Sequence, residues 1–323
     1  MQRRHFLPAA AAASLGSLAA PLVFGQGTTV RLVVGFPPGG GADALGRLIA
    51  AKLTTLWKRQ VIVENRAGAS GTLAANEVAK APADGSALLL TTINSHALAP
   101  AVQPRMRYHA ERDFTPVALL GVTPNLLVTA ASNPAKSLKD VVALAKAQPG
   151  TVPFGSAGPG TIQHFAIEKF KLLGQLDVLH VPYKGSAPLI TDLVGGQIQF
   201  AFETMTAATP HVNSGRLVAL AQTRGKRSPA YPAVPTMQEQ GFAGFETMNW
   251  YGISGPAKLP AALVQQINQD VNAVLGMADV QRQLEVFGVE DGGGTAEDFA
   301  KFQSAEIAKW AKVAKEAKVT IDG

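Results

Sequence analysis

Short apolar runs alternate along the chain with longer stretches in which apolar residues recur every third or fourth position. The run VRLVVGF, which starts at Val30 and is apolar but for Arg31, has the character of a strand buried on both faces. ADALGRLIAAKLTTLW follows, and its Leu45, Leu48, Ile49, Leu53, Leu56 and Trp57 fall on one face of a helix. QVIVEN, the helical LAANEVAKA and the strand SALLLTT complete a strand–helix series that predicts a parallel sheet covered by helices. The run Val117 to Ala131 is long enough to leave one such unit and enter another.

A second α/β unit begins with the helix SLKDVVALAKAQ, where Ser137 suits an N-cap and Gly150 a terminator. The strand TVPFGSA, the turn GPGT and the helix IQHFAIEKFKLL come next. LDVLHVPY, the helical PLITDLVGG and the strands QIQFAFET and LVALAQT close the pattern. RGKRSPAYPAVPTMQEQGF has the proline and charge content of a surface connection. The strand-like FETMNWYGISGP leads to two final helices. One carries Leu263, Ile267, Val271 and Val274; the other opens at Thr295-x-x-Asp298, resembling a capping box, and carries Phe299, Phe302, Trp310 and Val313. No internal repeat is present. Two α/β units joined by more than one crossing predict a ligand cleft between lobes.

The beginning of the chain reads differently. MQRRHFLPAAAAASLGSLAAPLVFGQG has a short polar start with Arg3 and Arg4, then an alanine-rich apolar stretch broken by Gly16 and Pro21. It has the form of an export signal rather than a membrane span, and Arg3 to Leu7 fits the twin-arginine type. An ordinary secretion signal that holds two arginines is the alternative. Cleavage is expected near Gly25 to Gly27, which places the mature chain outside the cytoplasm.

Composition narrows the function classes. Cysteine is absent, so an exported product of this sequence rests on a large core rather than on disulfides. The formal charge of +6 falls to about +4 once Arg3 and Arg4 are removed, and it is dispersed. Lys301, Lys309, Lys312, Lys315 and Lys318 share a helix with Glu306 and Glu316, which predicts a solvated face rather than a nucleic-acid platform. No histidines are spaced as His-x-x-x-His, so no metal site is expected.

Two strand-to-helix turns carry the candidate chemistry. The first reads GFPPGGGADALG from Gly35, and its Gly39-x-Gly41-x-x-Ala44 fits the dinucleotide fingerprint, with Glu64 near the acidic position. Pro37 and Pro38, however, remove two N–H donors where a pyrophosphate would need them. What is left, Gly39, Gly40 and Gly41 before a helix start, suits a carboxylate as well as a phosphate. Asp43 serves there either as a cap or, at a cleft, as a discriminator of ligand charge. The alternative is that the glycines serve only the turn.

The second turn runs Gly155-Ser156-Ala157-Gly158-Pro159-Gly160-Thr161. It is neither a nucleophile elbow, since position 154 is Phe, nor a P-loop. It offers N–H groups, the hydroxyls of Ser156 and Thr161, and a helix start. His164, one turn on, reads as a packed or capping residue rather than a catalyst. Glu203, at the end of QIQFAFET, either lines the cleft or is a solvated strand end. No nucleophile, base and orienter assemble, and no cofactor is called for. An exported hydrolase and a nucleotide-binding oxidoreductase are the competing classes.

FPPGGGAD, VIVENRAGASG, DGSALLLTT, RDFTPVALL, PFGSAGPGTIQH, VPYKGSAPLITDLVGGQI, KRSPAYPAVPTMQEQG and GGTAEDFAKFQSAEIAKW together resemble the solute-binding proteins of tripartite tricarboxylate transporters, the Bug family. The resemblance implies a two-lobed, type II periplasmic-binding-protein-like α/β fold that closes on a small carboxylate (a di- or tricarboxylate, or an aromatic acid). It implies an export signal over 1–26, a first lobe from 27–125 and 248–323, and a second from 126–247. The FPPGG-type turn, here Phe36, Gly39, Gly40 and Gly41, would hold one carboxylate through waters, flanked by Thr92, Asn94 and Ser95. Ser156, Ala157, Gly158, Thr161 and His164 would hold a carboxylate directly. A periplasmic monomer that hands its ligand to membrane permease subunits follows. One departure stands out: where many members have Phe-Asp-Asn, this chain has Phe202-Glu203-Thr204, a longer acid expected to reach further into the cleft and to help set ligand choice.

Overall fold

The computed structural model describes residues 29–103 and 105–317. The expected export signal lies outside the described residues. β1 (Val30–Val34) runs into α1 (Gly41–Trp57), followed by β2 (Val61–Asn65), α2 (Thr72–Val78), β3 (Ala87–Thr92) and α3 (Ala99–Val102). β1 lies between β2 and β3, parallel to both, as the strand–helix alternation predicts. Leu45, Ile49 and Leu53 of α1 are buried against this sheet, whereas Leu56, at the helix end, is exposed and leaves the predicted face.

β4 (Phe114–Ala130) belongs to two sheets. Its first part, to Pro124, pairs antiparallel with β9 (Met248–Pro256), which in turn pairs with β3. Its second part, from Asn125, pairs with β7 (Phe200–Thr204) and β8 (Leu217–Gln222). Before them in the chain come α4 (Leu138–Ala147), β5 (Pro153–Ser156), α5 (Ile162–Gly174), β6 (Leu179–Pro182) and α6 (Ser186–Val194). β5 lies between β6 and β7, parallel to both. α4 opens with a capping box in which Ser137 and Asp140 exchange hydrogen bonds. Thr295 and Asp298 do the same at the start of α10 (Ala296–Ala317), where Lys301 and Lys309 form ion pairs on the helix surface with Glu297 and Glu306.

Three helices complete the chain. α8 (Ala261–Leu275) buries Ile267, Val271 and Val274, in keeping with their spacing. α9 (Ala278–Val286) and α7 (Met205–Asn213) have no counterpart in the apolar pattern. Pro210 lies inside α7 and disguises it, because proline is usually a helix breaker.

Each half has its own core, one around Leu32, Ile49, Ile253 and Val271, the other around Phe154, Phe170, Phe202 and Phe245. Between them, Ile162 and Phe165 of α5 pack with Trp250 and Trp310, the Phe165 and Trp310 rings meeting edge-on at 5.4 Å. Where the two sheets join, Thr223 Oγ1 donates to Thr247 O at 2.5 Å, and Asn125 N donates to Thr223 Oγ1 at 2.9 Å. These buried bonds tie β4, the strand shared by both sheets, to the end of β8 and the start of β9.

Candidate functional site

Both expected turns sit where strands end and helices begin, and they face each other across the space between the halves. A cavity of about 430 Å³ is walled by Gly35–Pro37 and Ala67–Ser70 on one side, and by Ala157–Pro159 and Tyr183–Gly185 on the other. Ser70 Oγ closes one edge by donating to Pro159 O at 2.6 Å. Beside it lies a smaller space of about 20 Å³ that shares Phe36 and Ala157. Its walls are buried polar side chains: Thr92, Asn94, Asn249 and Tyr251 from the first half, Gln163, Ser186 and Thr204 from the second. That is about the room a single water needs.

In the first turn, Gly40 is the N-cap of α1 and offers no side chain to cap it. Gly40, Gly41 and Ala42 line the small space, so the open helix start faces it with its N–H groups and positive dipole end. Gly41 has to be small, because a Cβ there would come within 3.0 Å of Thr204 Oγ1 and Thr206 Cβ and 3.1 Å of Tyr251 Oη. Gly39 faces a separate outer hollow with Ile190, His211 and Arg216. Asp43 is buried, and its carboxylate accepts from Gly39 N, Arg47 and Asn65. Burial alone would push its carboxyl up; Arg47 and the other two donors together hold it below the ordinary range. Asp43 thus shapes the turn and lines neither cavity.

The second turn is tied up by its own chain. Gly158 N donates to Ser156 Oγ at 3.2 Å, Gly160 N to His164 Nδ1 at 3.1 Å, and Thr161 Oγ1 donates to Gly158 O at 2.7 Å. Thr161 also caps α5 through His164 N, and Asn94 of the other half accepts from Ile162 N at 2.9 Å. Ala157 and Gly158 line the larger cavity; Ser156, Thr161 and His164 do not line either. Thr92 and Asn94 line the small space, while Ser95 is buried behind them with its Oγ 3.0 Å from His96 Nδ1.

His164 stacks on His180 with ring centroids 4.1 Å apart and planes 11° apart. Burial pushes both imidazoles down to about 4, helped by the nearby Lys171 charge. His180 Nε2 lies 2.7 Å from Ser156 Oγ, the spacing of a nucleophile and its base, but Ser156 is fully buried and its hydroxyl opens to neither cavity. Among the described residues, no group of three or more His, Asp or Glu is placed to hold a metal.

Glu203 is neither solvated nor at the cavity wall. It is fully buried, and its Oε1 accepts from Gln163 Nε2 (3.1 Å), Ser186 Oγ (3.0 Å), Thr204 N (2.6 Å) and Thr204 Oγ1 (3.1 Å). Burial raises its carboxyl above the ordinary range. The sequence pattern missed Gln163, Ser186, Thr204, Asn249 and Tyr251, although the stretches TIQH and VPYKGS contain two of them.

Known proteins are similar to this chain over most of its length. Residues 45–319 match the model of the family described as "Tripartite tricarboxylate transporter family receptor". Protein BugT of Bordetella pertussis is 34% identical over 288 residues, 89% of this chain and 88% of its own. A Rhodopseudomonas palustris protein solved with adipate is 37% identical, with a TM-score of 0.88 over 91% of this chain and 99% of its own. MatC from Rhodopseudomonas palustris, solved with bound malate, is 31% identical, with a TM-score of 0.83 over 89% of this chain and 99% of its own.

Proposed function

Since this chain belongs to the tripartite tricarboxylate transporter receptor family, a family of solute-binding proteins, we propose that it captures a small carboxylate between its two halves and delivers it to membrane permease subunits. The observation that carries this reading is the uncapped start of α1, which opens onto the cleft between halves and offers N–H groups without a competing side chain. The larger cavity, about 430 Å³, takes the body of a small acid. Similar proteins solved with adipate and malate support the ligand class.

The rest of the reading follows the same lines. Residues 1–26 are a signal removed on export to the periplasm. The lobes divide at 27–125 with 248–323, and 126–247, and the mature chain is a monomer that binds without transforming its ligand. Phe36, Gly40, Gly41, Thr92 and Asn94 meet the carboxylate from the first lobe, and Ala157 and Gly158 meet the ligand from the second.

Melting of the mature chain against a carboxylate panel, with NAD and ATP included, tests this. Ligand at a thousand times its Kd adds about 4 kcal/mol to the folded state, which appears as a rise of several degrees. A rise with carboxylates and none with nucleotides is expected. A rise with NAD alone overturns the reading.

A further inference from the structure

Glu203 stands where three helices begin. Gln163 is in the first turn of α5, Ser186 is the first residue of α6, and Thr204 is the N-cap of α7. All three side chains donate to one oxygen, Oε1. All three also line the small space beside the α1 start, and Glu203 stands behind them.

The two hydroxyl donors are therefore committed, and so is one of the two amide hydrogens of Gln163. A serine or threonine hydroxyl has one hydrogen, and those of Ser186 and Thr204 go to Glu203. Gln163 has to turn its amide nitrogen toward the carboxylate, because its oxygen there would face another oxygen. That leaves Gln163 Oε1, which is buried and without a hydrogen-bond partner, as is Glu203 Oε2. The second half thus brings uncommitted acceptor oxygens and a single spare amide hydrogen to the wall of the small space, while α1 brings donors. This holds for the ionised acid and for the acid protonated on Oε2, because Oε1 accepts in both.

The space has room for about one polar group, and a bare carboxylate oxygen entering it satisfies the α1 side only, leaving Gln163 Oε1 without a donor. A carboxylate with an adjacent O–H or N–H donor satisfies both sides. We propose that Glu203 is a positioning residue that makes this site select acids with a hydroxyl or ammonium group next to a carboxylate. The proposal rests on the carboxylate-binding reading and names the ligand subclass within it.

Calorimetric titration of the mature chain with two matched series tests it: succinate, malate and aspartate, then adipate, 2-hydroxyadipate and 2-aminoadipate. In at least one series a donor-bearing acid binds about tenfold tighter than its parent, the size expected when a buried acceptor gains its partner. The hydroxyl and amino members show which donor the site prefers. Glu203→Met removes the shared acceptor and brings the ratio within about threefold of one, whereas Glu203→Gln keeps a carbonyl oxygen facing the three donors and retains the ratio. A merely structural role would weaken every ligand alike and leave the ratio unmoved. Should Glu203→Met not fold, Gln163→Met removes the open acceptor and abolishes the preference in the same way. If parent acids bind as tightly as their donor-bearing partners, or the ratio survives both methionine variants, this inference falls and carboxylate binding stands. If no acid of either series binds, the carboxylate reading falls and takes the inference with it.

Discussion

The two turns that face each other across the cleft look alike in sequence and differ in what they have left to offer. Each follows a strand, each is rich in glycine, and each starts a helix. The turn before α1 leaves its helix without a side-chain cap, and of the turn's backbone N–H groups Asp43 accepts from Gly39 N alone. The turn before α5 is filled from within by Ser156, Thr161 and His164 and from across the cleft by Asn94. A helix start attracts an anion only while its N–H groups are unclaimed. The lesson is that a glycine-rich turn before a helix marks a possible anion site, and the capping residues decide whether it is one. On the reading proposed above, the first turn holds the carboxylate and the second mainly shapes the wall opposite.

The largest effect that separates them is expected at Gly41. A Cβ there meets Thr204 and Thr206 of the opposite half within 3.0 Å, so a larger side chain holds the halves apart and fills the space before α1. Gly41→Val should lose ligand binding by calorimetry, at least a hundredfold, while the ligand-free melting temperature falls by a few degrees at most. Binding that survives within tenfold would show that the first turn is not where the ligand is held.

Acid should sharpen the contrast next. Only the second turn is held by histidines: His164 Nδ1 accepts from Gly160 N, and His180 meets Ser156 Oγ. Their folded values, about 4, lie below the ordinary 6.5, with burial as the main cause. Lys171 opposes protonation further, and Glu168, 3.8 Å from His164 Nε2, partly favours it. The unfolded chain therefore takes up protons first as the pH falls. Stability from this pair is complete above about 6.5, declines below it, and is gone below about 4. The loss is about 3 kcal/mol at most from each ring, and less from His180, which is more open to solvent, seen as a falling melting temperature over that window. His164→Asn, which keeps an acceptor near Gly160, should flatten the decline. An unchanged acid limb would mean that the stacked rings are not held neutral by burial.

How much of this was legible beforehand follows from the range of the forces involved. The capping boxes at Ser137 and Thr295 are local, so four consecutive residues announce them. The long β4 run betrayed its passage between sheets because both of its ends are buried. Leu56 lies on the predicted apolar face yet is exposed, while its neighbour Trp57 packs against the core. α7 stayed hidden behind Pro210. Glu203 was visible as a strand end, but its four donors arrive from three helix starts that only tertiary folding brings together. Tyr251 and Asn249 likewise became part of the site through the return of β9 beside β3 and β4. Such residues carry no local pattern, since their neighbours are far away in the chain.

The smallest expected effect is the one that separates the turns most cleanly. Thr161 has the hydroxyl that a carboxylate-binding loop would offer, yet it is buried, donates to Gly158 O and caps α5. If it serves the turn and not the ligand, Thr161→Ala costs what an N-cap is worth, about 1 kcal/mol, read as a fall of two to four degrees in melting temperature. Affinity should change less than threefold, because the second half still presents Ala157 and Gly158 to the cleft. Gly41→Val and Thr161→Ala then form a crossed pair, the first removing binding with little loss of stability and the second the reverse. A tenfold loss of affinity in Thr161→Ala, at unchanged stability, would mean that the hydroxyl leaves Gly158 to meet the ligand. The second turn would then be a carboxylate site in its own right, and the two turns would be equals.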